Sequence, residues 1–377
     1  MTDVMKSSTA GRVLQFCHGY DGPFLDCARQ YAALFDGTGY QVTTVFLTGK
    51  KDPQVAEKCR SAEVIFMEYS SSAIRGLKIK AIREFRQIAR ARNFSFCIAH
   101  RSKPTYIACL ATDLPVIGVH HAFGDFDRLG RRLFARAFRN RLHLLGVSDA
   151  VRDDIRNCLP DWPHERIQTL YNRIDVEVVR NAQVDRAEAR RTLGLPEDAW
   201  VVGNVGRLHP DKDQTTLLKG FALALPDLPE KSLLVIIGKG RLEASLKRLA
   251  GTLQVADKVL FLGQVPDARN TFKAFDVFAL TSDHEPFGMV LLEAMAAGVP
   301  IICSDCGGGP EVVSKHGQLF SLGDAQALAR CLVSAASTEP SSLNKQRQLA
   351  ADILVQRFSD AAARKRFWSL PALLNLK

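Results

Sequence analysis

Short apolar runs alternate with longer amphipathic stretches along this chain, and the alternation runs through twice. In the first half, strand-like runs fall at Arg12–Cys17, Gln41–Leu47, Glu63–Met67, Ser95–Ala99, Val116–Val119 and Leu144–Val147. Helical periodicity lies between them near Leu25–Phe35, Leu77–Arg92 and Arg131–Arg139. The pattern restarts with strands at Val201–Val205, Leu233–Ile237, Val259–Leu262, Val277–Leu280 and Val299–Cys303, and helices near Thr215–Leu225 and Arg241–Leu253. Short apolar strands separated by helices predict an α/β chain whose parallel sheets are covered on both faces. At 377 residues there is room for two such domains. The charged, Arg- and Ala-rich stretch Val178–Trp200 reads as the connection between them, and Phe358–Leu374 as an amphipathic terminal segment. Ligands in open α/β sheets bind outside the carboxyl ends of the strands.

Charge narrows the partners. The net charge of +10 is uneven: residues through Val178 hold 26 basic against 19 acidic side chains, and the remainder 24 against 21. Two stretches carry the excess, one from Arg75 to Arg92 and one from Arg128 to Arg141. Arg128, Arg132, Arg136 and Arg139 recur at helical spacing and share a face, interleaved with Leu133, Phe134, Ala137 and Phe138. For most of these arginines a solvated helix face suffices. The functional alternative is attraction to an anionic acceptor or a phospholipid surface. No zinc-finger spacing or RNP pattern accompanies them, so nucleic acid is not an expected partner. No window approaches the roughly 18 apolar residues of a membrane span. The polar start Met1–Arg12 has no signal-peptide core, and nine cysteines read as reduced thiols in a cytoplasmic protein. Cys303-x-x-Cys306 is a lone pair without a second pair or a matching histidine pattern, so no metal site is expected.

The chemistry concentrates in Glu285-Pro-Phe-Gly-Met-Val-Leu-Leu-Glu293-Ala-Met-Ala-Ala-Gly298-Val-Pro300. Phe287-Gly288 precedes an Ala- and Leu-rich helix, and Gly298 ends it. A glycine before a helix start lets the N–H groups around Gly288, Met289 and Val290 approach an anion, helped by the helix dipole. A second element, Asn204-Val-Gly206-Arg207-Leu-His-Pro-Asp-Lys212-Asp213, runs from a strand through a glycine turn to two cations. Arg offers a bidentate fork and Lys a point charge, which suits a diphosphate. Further turns are Ile236-Ile-Gly238-Lys-Gly240, Phe261-Leu-Gly263-Gln-Val265-Pro and Cys306-Gly-Gly-Gly-Pro310-Glu311. In the first half, His120-His121 closes a strand, and His18-Gly19-Tyr20-Asp21-Gly22-Pro23 forms the first loop. Pro23 removes a donor N–H there.

The glutamate pair with its Phe-Gly, Glu-Ala-Met-Ala and Gly-x-Pro resembles the Glu-x7-Glu motif of retaining glycosyltransferases of family 4 (GT4). These have the GT-B fold, two Rossmann-like domains facing across a cleft. Gly206-Arg207-Leu with Lys212 resembles the family's Gly-Arg-Leu-x4-Lys element, with Asp213 where glycine often follows. Tyr171-Asn172-Arg173-Ile174-Asp175 is similar to Asn-Gly-Ile-Asp, with Arg173 in place of glycine. The resemblance implies an N-terminal acceptor domain over residues 1–178 and a C-terminal donor domain over 179–357, with 358–374 packing back on the first. It implies that Arg207 and Lys212 bind the donor diphosphate beside Gly206, Gly238, Gly288, Met289 and Val290. Glu285 would orient sugar hydroxyls, Glu293 the ribose hydroxyls, and the backbone near Val265 the base; Phe287 belongs to the same motif. His120 would bond the transferred sugar, Gly22 would leave room for the diphosphate, and Asp21 would meet the acceptor hydroxyl.

The resemblance implies transfer of a hexose, UDP-glucose being the first donor to consider, to a lipopolysaccharide-core or other cell-surface glycan. No cofactor or metal is expected, only the nucleotide-sugar co-substrate. The acceptor is expected to be an anionic glycan or glycolipid, and the enzyme cytoplasmic with peripheral contact at the inner membrane face. Two alternatives stay open: a catalytically silent sugar-nucleotide-binding protein, and a sugar-nucleotide epimerase or hydrolase on the same fold.

Overall fold

The structure, a computed structural model, describes residues 11–374 apart from Pro23 and Ser314. The expectations for Pro23 and for the chain before Gly11 lie outside the described residues. The chain divides into two compact units. One runs to Tyr171 and takes up the chain again from Ala363; the other is Asn172–Ala362.

The first unit is built on β1 (Arg12–Cys17), β2 (Gln41–Thr48), β3 (Glu63–Tyr69), β4 (Phe94–His100), β5 (Val116–His120), β6 (Leu142–Gly146) and β7 (Ile167–Thr169). All neighbours are parallel, in the order β3-β2-β1-β4-β5-β6-β7. The second unit uses β8 (Trp200–Val205), β9 (Ser232–Ile237), β10 (Val259–Gly263), β11 (Val277–Leu280), β12 (Ile301–Ser304) and β13 (Gln318–Phe320). Its order is β10-β9-β8-β11-β12-β13, again all parallel. Val13, Leu14 and Phe16 in β1 and Val201 and Val202 in β8 are fully buried without alternation, as central strands covered on both faces require. In the second unit, Leu217, Leu218 and Phe221 of the helix Gln214–Ala224 pack with Leu234, Ile236 and Leu328. In each sheet the strand order reverses beside its first strand, between β1 and β4 and between β8 and β11. The crevice outside the carboxyl ends at that point is where such sheets receive ligands.

Several boundaries differ from the sequence reading. β7 and β13 are three-residue edge strands, Ile-Gln-Thr and Gln-Leu-Phe, which carry no periodic signal; pairing to β6 and β12 creates them. The strand expected at Val299–Cys303 begins at Ile301, because Pro300 has no N–H for the ladder and contributes only its carbonyl, which accepts from Phe278 N at 2.8 Å.

The stretch Val178–Trp200 is not a linker but part of the second unit. It holds the end of the helix Val176–Asn181 and the helix Arg186–Leu193, capped by Asp185. Its arginines are not all solvent-facing. Arg190 is buried and donates to the carbonyls of Ala274 (3.2 Å) and Ala199 (2.8 Å) and to Asp276 (2.9 Å). Asp276 also accepts from Val201 N at 2.8 Å, so one ion pair ties this helix to the strand start.

The terminal segment is likewise not one helix. A helix Pro340–Phe358 ends where Ser359 turns extended, and Asp360–Trp368 and Pro371–Leu374 follow. Ile174 bridges Ser359, and Arg173 is buried with Nε 3.0 Å from Asp360. The side chain standing in place of glycine is therefore an internal tie in the second unit. Beyond Ala363, Arg364 donates to the Ala33 carbonyl at 2.8 Å and Trp368 Nε1 to that of Leu34 at 3.0 Å, within the first unit. Among the described residues no helix is long and apolar enough to cross a membrane.

Removing one partner of a buried ion pair leaves an uncompensated charge. Arg190→Ala is expected to destabilise the second unit by about 3–5 kcal/mol, read as a lowered urea midpoint. A loss below about 1 kcal/mol would assign the arginine to a solvated surface.

Candidate active site

In the second unit the turns after β8 and β9 meet backbone to backbone. Gly238 has φ +142°, and a Cβ there would stand 1.9 Å from the Gly206 carbonyl oxygen. Only glycine permits that approach. Arg207 follows, 71% exposed, with its guanidinium 3.3 Å from Asp211. The chain then makes a short 3-10 turn, Pro210–Lys212. Asp213, where glycine often stands in the resemblance, takes a left-handed backbone (φ +40°). Its carboxylate caps the helix Gln214–Ala224 by accepting from Thr216 N at 3.2 Å.

Across the strand-order reversal, the segment after β11 brings Glu285 to Lys212. Lys212 Nζ lies 2.8 Å from Glu285 Oε2, with the two side chains only 17% and 11% exposed. Ser282 Oγ donates to the same oxygen at 3.3 Å, and Thr281 Oγ1 donates to the Lys212 carbonyl at 2.9 Å. Three residues on, Gly288 (φ +94°) opens the helix Met289–Ala296 with no side-chain cap. Helix geometry leaves the first-turn N–H groups, Met289 and Val290 among them, facing outward for an anion.

Gly206, Arg207, Lys212, Gly238, Glu285, Gly288, Met289 and Val290 are thus all presented at the carboxyl ends of β8, β9 and β11. Glu293 is half-buried on the same helix, and Val265 is half-buried in the loop after β10. Phe287 differs from the rest: its ring is buried in the core, 5.7 Å from Phe358, so only its backbone faces the turn. Of the two nearby cysteines, burial raises the Cys303 thiol, and Cys306 Sγ donates to the Asp283 carbonyl at 2.7 Å.

In the first unit, His120 ends β5 with its side chain 1% exposed. Its Nδ1 lies 2.7 Å from Asp125 Oδ2. Burial would raise the Asp125 pKa, but hydrogen bonds from His120 and Ser102 and the charge of Arg131 outweigh it and hold the carboxyl at about 2. An ionised carboxylate only accepts, so Nδ1 carries a proton and donates it to Asp125, which leaves Nε2 as the ring nitrogen available to a ligand. That Nε2 is buried and has no hydrogen-bond partner among the described residues. His121 turns instead to His100, Nε2 to Nδ1 at 3.2 Å. Asp21 and Gly22 are exposed in the turn after β1. Asp125 was missed in the sequence, although a carboxylate five positions after a strand-end histidine was the available signal. Ser282 and Asp211 carried no signal at all.

Burial, with the charges of Arg101 and Lys103, lowers His18 from 6.5 to about 4; burial, with His120 and Arg101, lowers His121 to about 3; and burial, with Arg166, lowers His143 to about 4. Below pH 6.5 the unfolded chain therefore binds more protons than the folded first unit. Stability should fall as pH drops from 6.5 toward about 4. The contribution of Asp125 is lost only lower, as pH falls from 3.8 toward about 2. Thermal melts between about pH 7.5 and 4.5 measure this. A flat profile there would contradict neutral buried histidines.

Comparison with known proteins places this geometry. The model described as Glycosyltransferase Family 4 matches residues 27–178, and that described as Glycosyl transferases group 1 matches residues 185–351. The N-acetyl-alpha-D-glucosaminyl L-malate synthase of Bacillus anthracis is 34% identical over 58% of this chain and 54% of that protein. The lipopolysaccharide core biosynthesis glycosyltransferase LpsE of Rhizobium meliloti is 34% identical over 45% of this chain and 49% of that one. The chain thus spans about half the length of these curated relatives. The solved structure of Anabaena Alr3699/HepE in complex with UDP superposes with a TM-score of 0.78 at 20% identity, over 95% of this chain and 98% of that one. A glycosyltransferase family 4 model thus matches the first half of the chain and a glycosyl transferases group 1 model the second, each on a parallel Rossmann-like sheet, and the fold is GT-B.

Proposed function

We propose that the protein is a retaining, metal-independent glycosyltransferase that moves a hexose from a UDP-sugar, UDP-glucose first, to an anionic cell-surface glycan or glycolipid of lipopolysaccharide-core type. The observation that carries this reading is the Lys212–Glu285 pair, held beside the uncapped helix start at Gly288. A nucleoside diphosphate is already a good leaving group. It requires stabilised negative charge, not a strong acid, as the glycosidic bond breaks. Arg207, Lys212 and the N–H groups of Met289 and Val290 supply that charge. As phosphate oxygens engage Lys212, Glu285 is left to accept from sugar hydroxyls, while Glu293 takes the ribose hydroxyls and the backbone near Val265 the base. His120 accepts from a hydroxyl of the transferred sugar through Nε2, and Asp21 meets the acceptor hydroxyl.

In this reading residues 1–178 serve the acceptor and 179–357 the donor. The UDP assignment is supported by the Anabaena protein, solved with UDP and with UDP-glucose. The acceptor class is supported by the Rhizobium meliloti relative and by the basic first half of the chain. Action in the cytoplasm, with peripheral contact at the membrane face, follows from that acceptor class.

The first experiment is saturation binding of the purified protein to UDP, GDP and ADP, each with and without its sugar. Selective binding of UDP supports the donor; selective binding of GDP would move it to the mannose class. Glu285→Ala should lower kcat by about 100-fold with UDP affinity nearly kept; unchanged turnover would remove Glu285 from the site. Arg207→Ala should weaken UDP binding about tenfold or more, and equal affinity would sink the cradle. Turnover should survive a chelator; loss restored by magnesium would overturn the metal-free reading.

A further inference from the structure

The first unit contains a cavity of about 490 Å³ that shares only His120 with the residues assigned to the donor. Its walls are aromatic and apolar: Tyr106, Phe126 and Phe134, the Tyr106 and Phe134 rings 4.9 Å apart. Its rim is cationic, with Lys103, Arg128 and Arg131. His120, with its unpartnered Nε2, also lines it. Lys78 reaches over the Tyr106 ring at 5.0 Å from the loop side. Leu129 and Leu133 on the helix Leu129–Ala137 are 59% and 54% exposed, and Leu77 and Ile79, which flank Lys78, are more than half exposed as well. A solvated arginine face alone does not explain leucines left in water beside an apolar cavity.

Adjoining it is a smaller hollow of about 140 Å³ lined by His18, Arg101, Ser102, Lys103, Asp125 and Arg131. Arg101 is held at φ +75°, a conformation L residues rarely adopt, with its N–H donating to the Val119 carbonyl at 2.8 Å. It immediately precedes the helix Ser102–Ala111, which has no side-chain cap, so the N–H groups of Ser102 and Lys103 are open to an anion. Asp125 is the one acid in the hollow, and His120, Ser102 and Arg131 already engage it. Among the described residues neither Arg101 nor Lys103 has a carboxylate partner, and the Arg101 guanidinium lies over the Phe24 ring at 4.9 Å.

We propose, resting on the glycosyltransferase reading above, that the acceptor is a lipid-linked phosphate. Its phosphate occupies the hollow at Arg101, Lys103 and the helix start, and its apolar chain enters the cavity between Tyr106 and Phe134. Ser102, Lys103 and Arg131 line both spaces, so head and chain sit side by side. The exposed leucines beside the cavity meet the lipid from which the chain is drawn. A free phosphosugar would use the hollow and leave the cavity empty.

Calorimetry on the full chain tests this with three probes: dodecyl phosphate and dodecyl maltoside, each below its micelle concentration, and inorganic phosphate. Dodecyl phosphate should bind one to one, at least about tenfold tighter than either of the others, since it alone engages both spaces. Lys103→Glu should weaken dodecyl phosphate by about tenfold or more. Gly130→Leu is the second variant: Gly130 lines the cavity, and a Cβ there meets nothing within 4 Å, so the position admits a side chain that narrows the space. It should weaken dodecyl phosphate by a similar factor while inorganic phosphate is unchanged. Equal binding of dodecyl maltoside overturns the anion subsite. Inorganic phosphate binding as tightly as dodecyl phosphate, with no effect of Gly130→Leu, overturns the lipid in favour of a free phosphosugar. No binding of dodecyl phosphate overturns both. UDP affinity measured on the same preparations separates the outcomes: UDP bound without dodecyl phosphate rejects this inference alone, and dodecyl phosphate bound without any nucleotide rejects the donor reading.

Discussion

Parallel strands buried on both faces leave a protein little room for polar chemistry except at the ends of its strands. Val13, Leu14 and Phe16 of β1 and Val201 and Val202 of β8 are fully buried, so the central strands offer no charged group between their ends. The turns at the carboxyl ends are therefore where cations, carboxylates and free N–H groups gather, and the strand-order reversal opens a crevice among them. Gly206, Lys212, Glu285 and Gly288 in one unit, and Arg101, His120 and Asp125 in the other, all stand at such ends.

Charge inside the units is used in two ways. Arg190 with Asp276 and Arg173 with Asp360 are ties: their hydrogen bonds run to neighbouring backbone and to a carboxylate, and they hold distant stretches of the second unit together. Lys212 with Glu285 is different. Both side chains remain partly open to solvent at an edge where an uncapped helix begins. A charge pair in that position can exchange its partner for a ligand, whereas a pair sealed in the core cannot without leaving a buried ion unmatched. The His120–Asp125 hydrogen bond also has one partner buried, and it leaves Nε2 of His120 at the wall of a cavity.

Most of the architecture was legible in the chain, because buried parallel strands are long apolar runs and their crossovers carry helical periodicity. Arg12–Cys17 and Val277–Leu280 match to the residue. What escaped were elements whose only cause is a neighbour: the edge strands β7 and β13, and the shift of β12 past Pro300. Val178–Trp200 misled for another reason. Charge along a stretch says that arginine is present, not that one of them is buried with its guanidinium bonded to backbone carbonyls and a carboxylate. The donor-side residues were legible because glycine turns and a helix start must be encoded locally. Ser282 was not, since a hydroxyl that supports another side chain has no pattern of its own, and Asp125 was signalled only by its spacing from His120.

The sequence by itself determined two α/β sheets in series, the glycine turns that bring backbone to an anion, and an excess of positive charge in the first half. These are local or additive properties, set by periodicity, backbone freedom and composition. Only the tertiary structure decided which charges meet. It paired Lys212 with Glu285 across the strand-order reversal, buried Arg173 and Arg190, turned Phe287 into the core, and set cationic side chains beside an aromatic cavity. Each depends on contacts between residues far apart in the chain, and such contacts exist only once the strands have chosen their neighbours.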